Sequence, residues 1–362
     1  MRTLILISFL GLIFSPVSAI EASEYFRINQ VLAEKHILPR YEKFSQQTFE
    51  LNRVAKNFCV APARIDLKDI QKAFHFAADA WAGVQHIQFG PIEEKLRLNR
   101  IFYWPDKHNT GSRHLKRLLK SEDETMLKPE RFSLISVALQ GFPALERLLF
   151  RQSEALFEEK GTSRFRCNLV KSISGNLKKI SENVLNEWKD KSNGFLKVVT
   201  SSGVPIYNGE DEIFQNYFAS LYGILRTIHD LKLRRILGET PDDSRPRRSE
   251  AWRSERSLRN IILNLEAAKN LFQGEGGFGI DDFIEIHNPN TNVAKDFNTY
   301  LEYTLKTALS ISIPLHKAVR DQKYFEEIDR LQAQILALMG LVRGRISLAV
   351  GIRPGFNKLD GD

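Results

Sequence analysis

From residue 24 to 58, apolar side chains return at the spacing of an α-helix: Phe26, Val31, Leu32, Tyr41, Phe44, Phe49, Leu51 and Phe58. A period of three and four places such residues on one face, which must then be buried against another element. The pattern recurs through most of the chain. Pro39 is expected to kink or divide the first segment, and Pro62 to close it. Further helices are expected from Leu67 to Ile87, near 110–120, 131–150 and 164–190, from Asp211 to Gly238, from Glu250 to Phe272, and near 292–320 and 323–349. Windows rich in β-formers are too few for a sheet. The fold class is therefore all-α, with each half of the chain supplying enough amphipathic helices for a bundle.

Residues 192–210 lose the helical period. The expected organisation is a signal segment over 1–19, an N-terminal helical bundle over 20–195 and a C-terminal helical bundle over 205–362. The signal reading rests on Arg2, the apolar run Leu4 to Phe14, and small residues up to Ala19, after which cleavage is expected. No Cys follows that site, and no later segment has about eighteen apolar residues in a row, so no transmembrane span is expected in the mature chain. The expected location is the periplasm. Export to an oxidising compartment favours a Cys59–Cys167 disulfide over two buried thiols.

The net charge of +8 comes from no continuous basic block. The densest basic stretch, 232–259, carries nine Lys/Arg against five Asp/Glu and reads as a solvated or salt-bridged surface. Nucleic acid is not an expected partner.

The stretch Gln140-Gly141-Phe142-Pro143-Ala144-Leu145-Glu146-Arg147-Leu148-Leu149-Phe150 is apolar, with one acid, Glu146, on or near its buried side. Pro143 has no backbone N–H and suits the start of a helix. A fresh start there puts Glu146 in the first turn, where the helix dipole favours a negative charge. Two readings stand side by side. Glu146 is either a structural acid paired with an Arg at a packed interface, or part of a ligand site.

The same stretch resembles the signature of the imelysin-like proteins, cell-envelope proteins also classed as insulin-cleaving peptidases. Their full signature reads Gly-x-His-x-x-Glu. Gly141 and Glu146 match it, and Pro143 stands where the His belongs. The resemblance extends over Leu38-Pro39-Arg40-Tyr41, the Phe58 to Pro62 turn, Phe89-Gly90-Pro91, Tyr103-Trp104-Pro105-Asp106, the Pro246 to Ile261 region and the Gly355 to Asp362 tail. It implies two bundle-like domains packed side by side, a site at their interface, and a link to iron-regulated envelope functions. Its metallopeptidase label applies to some members only. A His and a Glu three apart on a helix can share a metal, but Pro143 offers no ligand.

Other chemistry is sparse. The eight histidines head no His-x-x-Glu and form no His-Glu-x-x-His. His75, Asp79 and His86 are spaced to share a helical face, but packed or hydrogen-bonded histidines are the favoured reading. The Gly274 to Gly279 loop follows no strand and reads as a hinge rather than a phosphate cradle. Trp81, Trp104, Trp252, Arg247, Arg253 and Arg256 are candidates to line an inter-domain cleft with Gly141, Pro143 and Glu146. Arginine, tryptophan and one acid suit a carboxylate or a peptide; the alternative is core anchoring and helix capping. The favoured function is a non-catalytic periplasmic binding protein linked to iron or metal acquisition, or to an envelope protein or peptide. The alternatives are a metallopeptidase with an altered site, with iron or zinc held through Glu146, and an envelope scaffold whose cleft is only a joint.

Overall fold

The structure is a computed structural model that describes residues 22–60, 62–63, 66–157, 161–190, 192–201 and 209–352. The expected signal segment, much of the inter-domain linker and the Gly355 to Asp362 tail lie outside the described residues. Among the described residues every regular element is helical and there is no strand, so the all-α class holds.

The first element touches both halves of the chain. Ala22–Val31 runs through a π-helical turn, Leu32–Ile37, into Leu38–Phe58 without a break. Pro39, expected to kink or divide this segment, lies in the first turn of Leu38–Phe58 and does not divide it. The π turn beside it has widened the hydrogen-bond register, with the Leu38 N–H donating to the Ala33 carbonyl. A wider turn relieves the crowding that proline imposes on a helix interior. The buried face of Leu38–Phe58 is Tyr41, Phe44, Ser45, Thr48, Leu51, Asn52, Ala55 and Phe58, a strict three-and-four pattern. Phe49 falls off that face and is exposed, with the Lys178 ammonium over its ring.

In the first half, Leu38–Phe58 packs between Leu67–Val84 and Gly161–Lys189. Phe44 meets Trp81, Tyr41 stacks on Trp188, and the Thr48 and Ser181 hydroxyls bond at 2.6 Å. The Cys59–Cys167 disulfide ties the end of the first helix to the third. The second half is built from Glu210–Arg226, Ser257–Phe272, Val293–Ser310 and Gln322–Leu341.

Two helix pairs are prominent among the contacts that join the halves. Ala22–Val31 lies on Glu210–Arg226: the Asn29 side chain donates to the Glu210 carbonyl at 2.8 Å, and Tyr25 packs on Phe214 and Phe283. Leu67–Val84 lies against Ser257–Phe272, where Asn264 donates to the Ala82 carbonyl at 2.7 Å. One continuous apolar core runs through both halves.

Two expected helices differ in ways that shape the site. The expected 131–150 helix is a series of short turns, Pro129–Phe132, Val137–Leu139, Phe142–Glu146 and the π turn Arg147–Arg151, because prolines and a close backbone approach at Gly141 interrupt it. The helix expected from Glu250 starts at Ser257. Ahead of it, Ala251 (φ 45°) and Glu255 (φ 58°) hold left-handed conformations that cannot continue a helix.

Candidate functional site

Gly141 is the extended residue that precedes the Phe142–Glu146 turn. Its φ of −132° is open to any residue, so its requirement for glycine is spatial. A Cβ there would sit 2.0 Å from the Ile101 carbonyl oxygen and 2.5 Å from that of Arg100. The chain therefore touches backbone to backbone at this point, and Pro143 and Glu146 follow from a fixed base. Pro143 lies in the first turn, and its carbonyl accepts from Arg147 at 3.0 Å.

Glu146 is 3% exposed. Its Oε1 accepts the Ser254 N–H at 2.9 Å and the Ser254 hydroxyl at 2.8 Å, and its Oε2 lies 3.6 Å from an Arg253 guanidinium nitrogen. The left-handed residues Ala251 and Glu255 turn the 249–256 segment so that Ser254 presents both donors to one oxygen. Strained backbone of this kind persists where the surroundings demand it.

Glu146 and Pro143 form part of the wall of a cavity of about 350 Å³ at the junction of the halves. Trp81, Trp104, Arg247, Trp252, Arg253 and Arg256 line the same cavity. Of the residues singled out from sequence for this cleft, only Gly141 stands behind the wall rather than in it. Phe74, Phe102 and Phe142 add apolar surface. Arg253 stacks on Trp252 at 4.6 Å, and Arg235 lies 5.9 Å from Trp104.

The electrostatics are one-sided. Burial, together with the neighbouring Arg147, pulls Arg253 down to about 10. Burial also lowers Arg147, Arg256 and Arg235, the last with help from Arg248. The second acid of the wall, Asp106, accepts the Thr110 and Gly111 N–H groups at 2.7 and 2.8 Å. Arg147, Arg235, Arg248, Ser254 and Asp106 carry much of this environment and were not singled out from sequence. The available signals were the direct succession of Glu146 by Arg147 and the places of Asp106, Arg248 and Ser254 within stretches that resemble the family.

His75, Asp79 and His86 do not converge. His75 meets Arg256 at 3.1 Å, and burial with that cation lowers it to about 4. Asp79 takes Arg256 and, at 2.8 Å, Arg259; burial pushes its carboxyl up, but the two arginines outweigh it and the net shift is downward. His86 faces the other way and bonds His36 at 2.7 Å. Glu275, in the glycine-rich loop, holds His36 at 2.9 Å and also binds Arg40.

The imelysin family model, peptidase family M75, matches residues 37–342. The chain belongs to the imelysin family. Two solved structures share the fold. An imelysin-like protein from Psychrobacter arcticum 273-4 has a TM-score of 0.75 at 19% identity, over 93% of this chain and 99% of that one. A putative iron-regulated protein A precursor from Parabacteroides distasonis ATCC 8503 has a TM-score of 0.72 at 15% identity, over 90% of this chain and 95% of that one. No curated protein matches in sequence.

The peptidase label implies a metal, and the donor set of this imelysin does not suit one held directly at Glu146. Pro143 brings no ligand, the neighbouring charged groups are Arg253 and Arg147, and Glu146 already serves Ser254. Among the described residues no three His, Cys, Asp or Glu side chains gather in a metal-binding arrangement. A divalent cation prefers carboxylate, imidazole or thiolate in numbers, not guanidinium.

Proposed function

We propose that this imelysin is an exported, non-hydrolytic binding protein of the cell envelope, and that its ligand site is the cavity walled by the Phe142–Glu146 turn and the 249–256 segment. The observation that carries this reading is the state of Glu146. In a metallopeptidase the acid would be a ligand or a base. Here it is spent on two Ser254 donors and an arginine. Such an acid shapes a wall.

Export is supported by the signal-like first nineteen residues and by the Cys59–Cys167 disulfide, which suits an oxidising compartment. No described helix is long and apolar enough to cross a membrane. The similarity in fold to a putative iron-regulated protein A precursor supports a setting in metal acquisition. In a cavity lined by arginine, metal traffic would involve a complexed ion or a protein partner rather than a bare cation.

The test combines metal analysis with hydrolysis. The purified chain, incubated with zinc or ferrous iron and insulin, is expected to leave insulin intact and to retain no stoichiometric metal after desalting. Insulin cleavage together with one metal per chain, both abolished in Glu146→Gln, would replace this reading with a peptidase.

A further inference from the structure

Seven cationic side chains line the cavity, Lys107 and six arginines, against two acids, Glu146 and Asp106. Both acids already accept hydrogen bonds from the protein. Arg147 and Arg253 pair with those two acids, and Arg256 pairs with Asp79 behind the wall; among the described residues Lys107, Arg235, Arg247 and Arg248 have no carboxylate partner. Among the described residues Arg235 has no ion pair, and its Nη1 is buried without an acceptor. The Nε groups of Arg147, Arg253 and Arg256, the Trp81 indole N–H and the Ser249 hydroxyl are likewise buried without a partner, and all six residues line this one cavity. Four of those six, Trp81, Arg147, Ser249 and Arg256, are at least nine-tenths buried. Buried donors are nearly always paired in folded proteins, and these six stand unpaired beside this one space. Like charges packed together also repel, and an anion bound in the cavity relieves that repulsion.

We propose that the cavity is a receptor for a small organic oxyanion, its charged head seated among the arginines and its apolar body against the Trp104 and Trp252 side of the wall. The inference rests on the reading of this cavity as the ligand site. The volume of about 350 Å³ suits a small molecule. The wall is matched to both ends of such a ligand. Guanidinium groups offer paired donors in a plane that carboxylate and phosphate fit. Arg253 and Arg235 lie over Trp252 and Trp104, which orients them before anything binds. The phenylalanines and tryptophans shield the remainder from water. A neutral or cationic ligand would leave the surplus charge uncompensated.

Calorimetric titration of the full exported chain tests this at constant ionic strength. The probes are benzoate, phenyl phosphate and the neutral isostere benzamide. At least one anion is expected to bind saturably, at least tenfold more tightly than benzamide; which one binds better identifies the head group. Arg235→Met and Arg253→Met are expected to weaken that binding tenfold or more. Lys179→Met, an exposed change on the first half, should leave it unaltered. Urea midpoints of the variants confirm that loss of binding is not loss of fold. Binding of benzamide as tight as that of benzoate overturns the oxyanion assignment and leaves the ligand site in place. Anion binding equal in all variants, or absent from wild type, also overturns it. The reading of the protein as non-hydrolytic stands or falls separately, on the insulin and metal assay.

Discussion

Glu146 and Gly141 illustrate how single residues act here. Gly141 is held between two carbonyl oxygens that belong to the backbone, so no side-chain rotation relieves an added methyl. Gly141→Ala is expected to destabilise by about 3 kcal/mol, the upper range for overpacking, read as a lower urea midpoint. Glu146→Ala strips the acceptor from Ser254 and leaves the Arg253 charge uncompensated in a largely buried setting. A cost of about 3 kcal/mol is expected. Glu146→Gln keeps an acceptor for Ser254 and is expected to lose about half as much. Equal unfolding midpoints for Glu146→Ala and wild type would show that the acid is not structural. At this scale the sequence was informative but incomplete. Gly141, Pro143 and Glu146 stand out in one short stretch, but the expected first-turn place of Glu146 does not hold: the turn starts at Phe142, one residue before the proline, and Glu146 is its last residue, past the first turn. Its partner Ser254 lies 108 positions away and has no pattern that marks it.

At the scale of elements, π-helical turns occur at Leu32–Ile37, Arg147–Arg151, Thr227–Leu233 and Val342–Ile346. The first two bring His36 and Arg147 to buried polar clusters, in keeping with the frequency of such turns near functional groups. Periodicity does not announce them, because one wider turn barely disturbs a three-and-four pattern. The His36–His86 pair is also invisible in sequence, being formed by a π-helical turn and the turn after Leu67–Val84, 50 positions apart. Its protonation follows from its bonds. With His36 Nδ1–H donating to Glu275, His36 Nε2 accepts from His86 Nε2–H, and His86 Nδ1 is left without a partner.

Burial holds both rings well below the ordinary value of 6.5, with Arg40 adding to the effect on each and His36 to that on His86. The unfolded chain then binds protons that the folded chain refuses. Stability is full above pH 6.5 and falls as the pH drops below it, by up to about 1.4 kcal/mol per pH unit for each histidine. Urea midpoints measured between pH 7.5 and 5 should show this slope, and His86→Gln should make it shallower. A flat profile would mean that the pair is protonated in the native state.

For the whole molecule, the disulfide and the long first helix are the main ties. Cys59 and Cys167 are 108 positions apart, so the bond removes much freedom from the unfolded chain. Reduction is expected to cost about 4–5 kcal/mol in the chain-entropy model, seen as a lower melting temperature with reductant. An unchanged melting temperature, with both thiols shown to be free, would place its stabilisation elsewhere. The first helix enters the second half through Tyr25 and Asn29 and the first half from Tyr41 onward.

Helical class and most helix positions were legible in the sequence because they depend on local rules: apolar period, proline, glycine and composition. The disulfide was expected from the cysteine count and the expected compartment, and the structure has it. The tertiary structure decided which helices touch, and so which cations share a wall with Glu146. Charge balance at a site depends on distance in space, and residues 81, 104, 146, 235 and 253 meet only after the helices have packed.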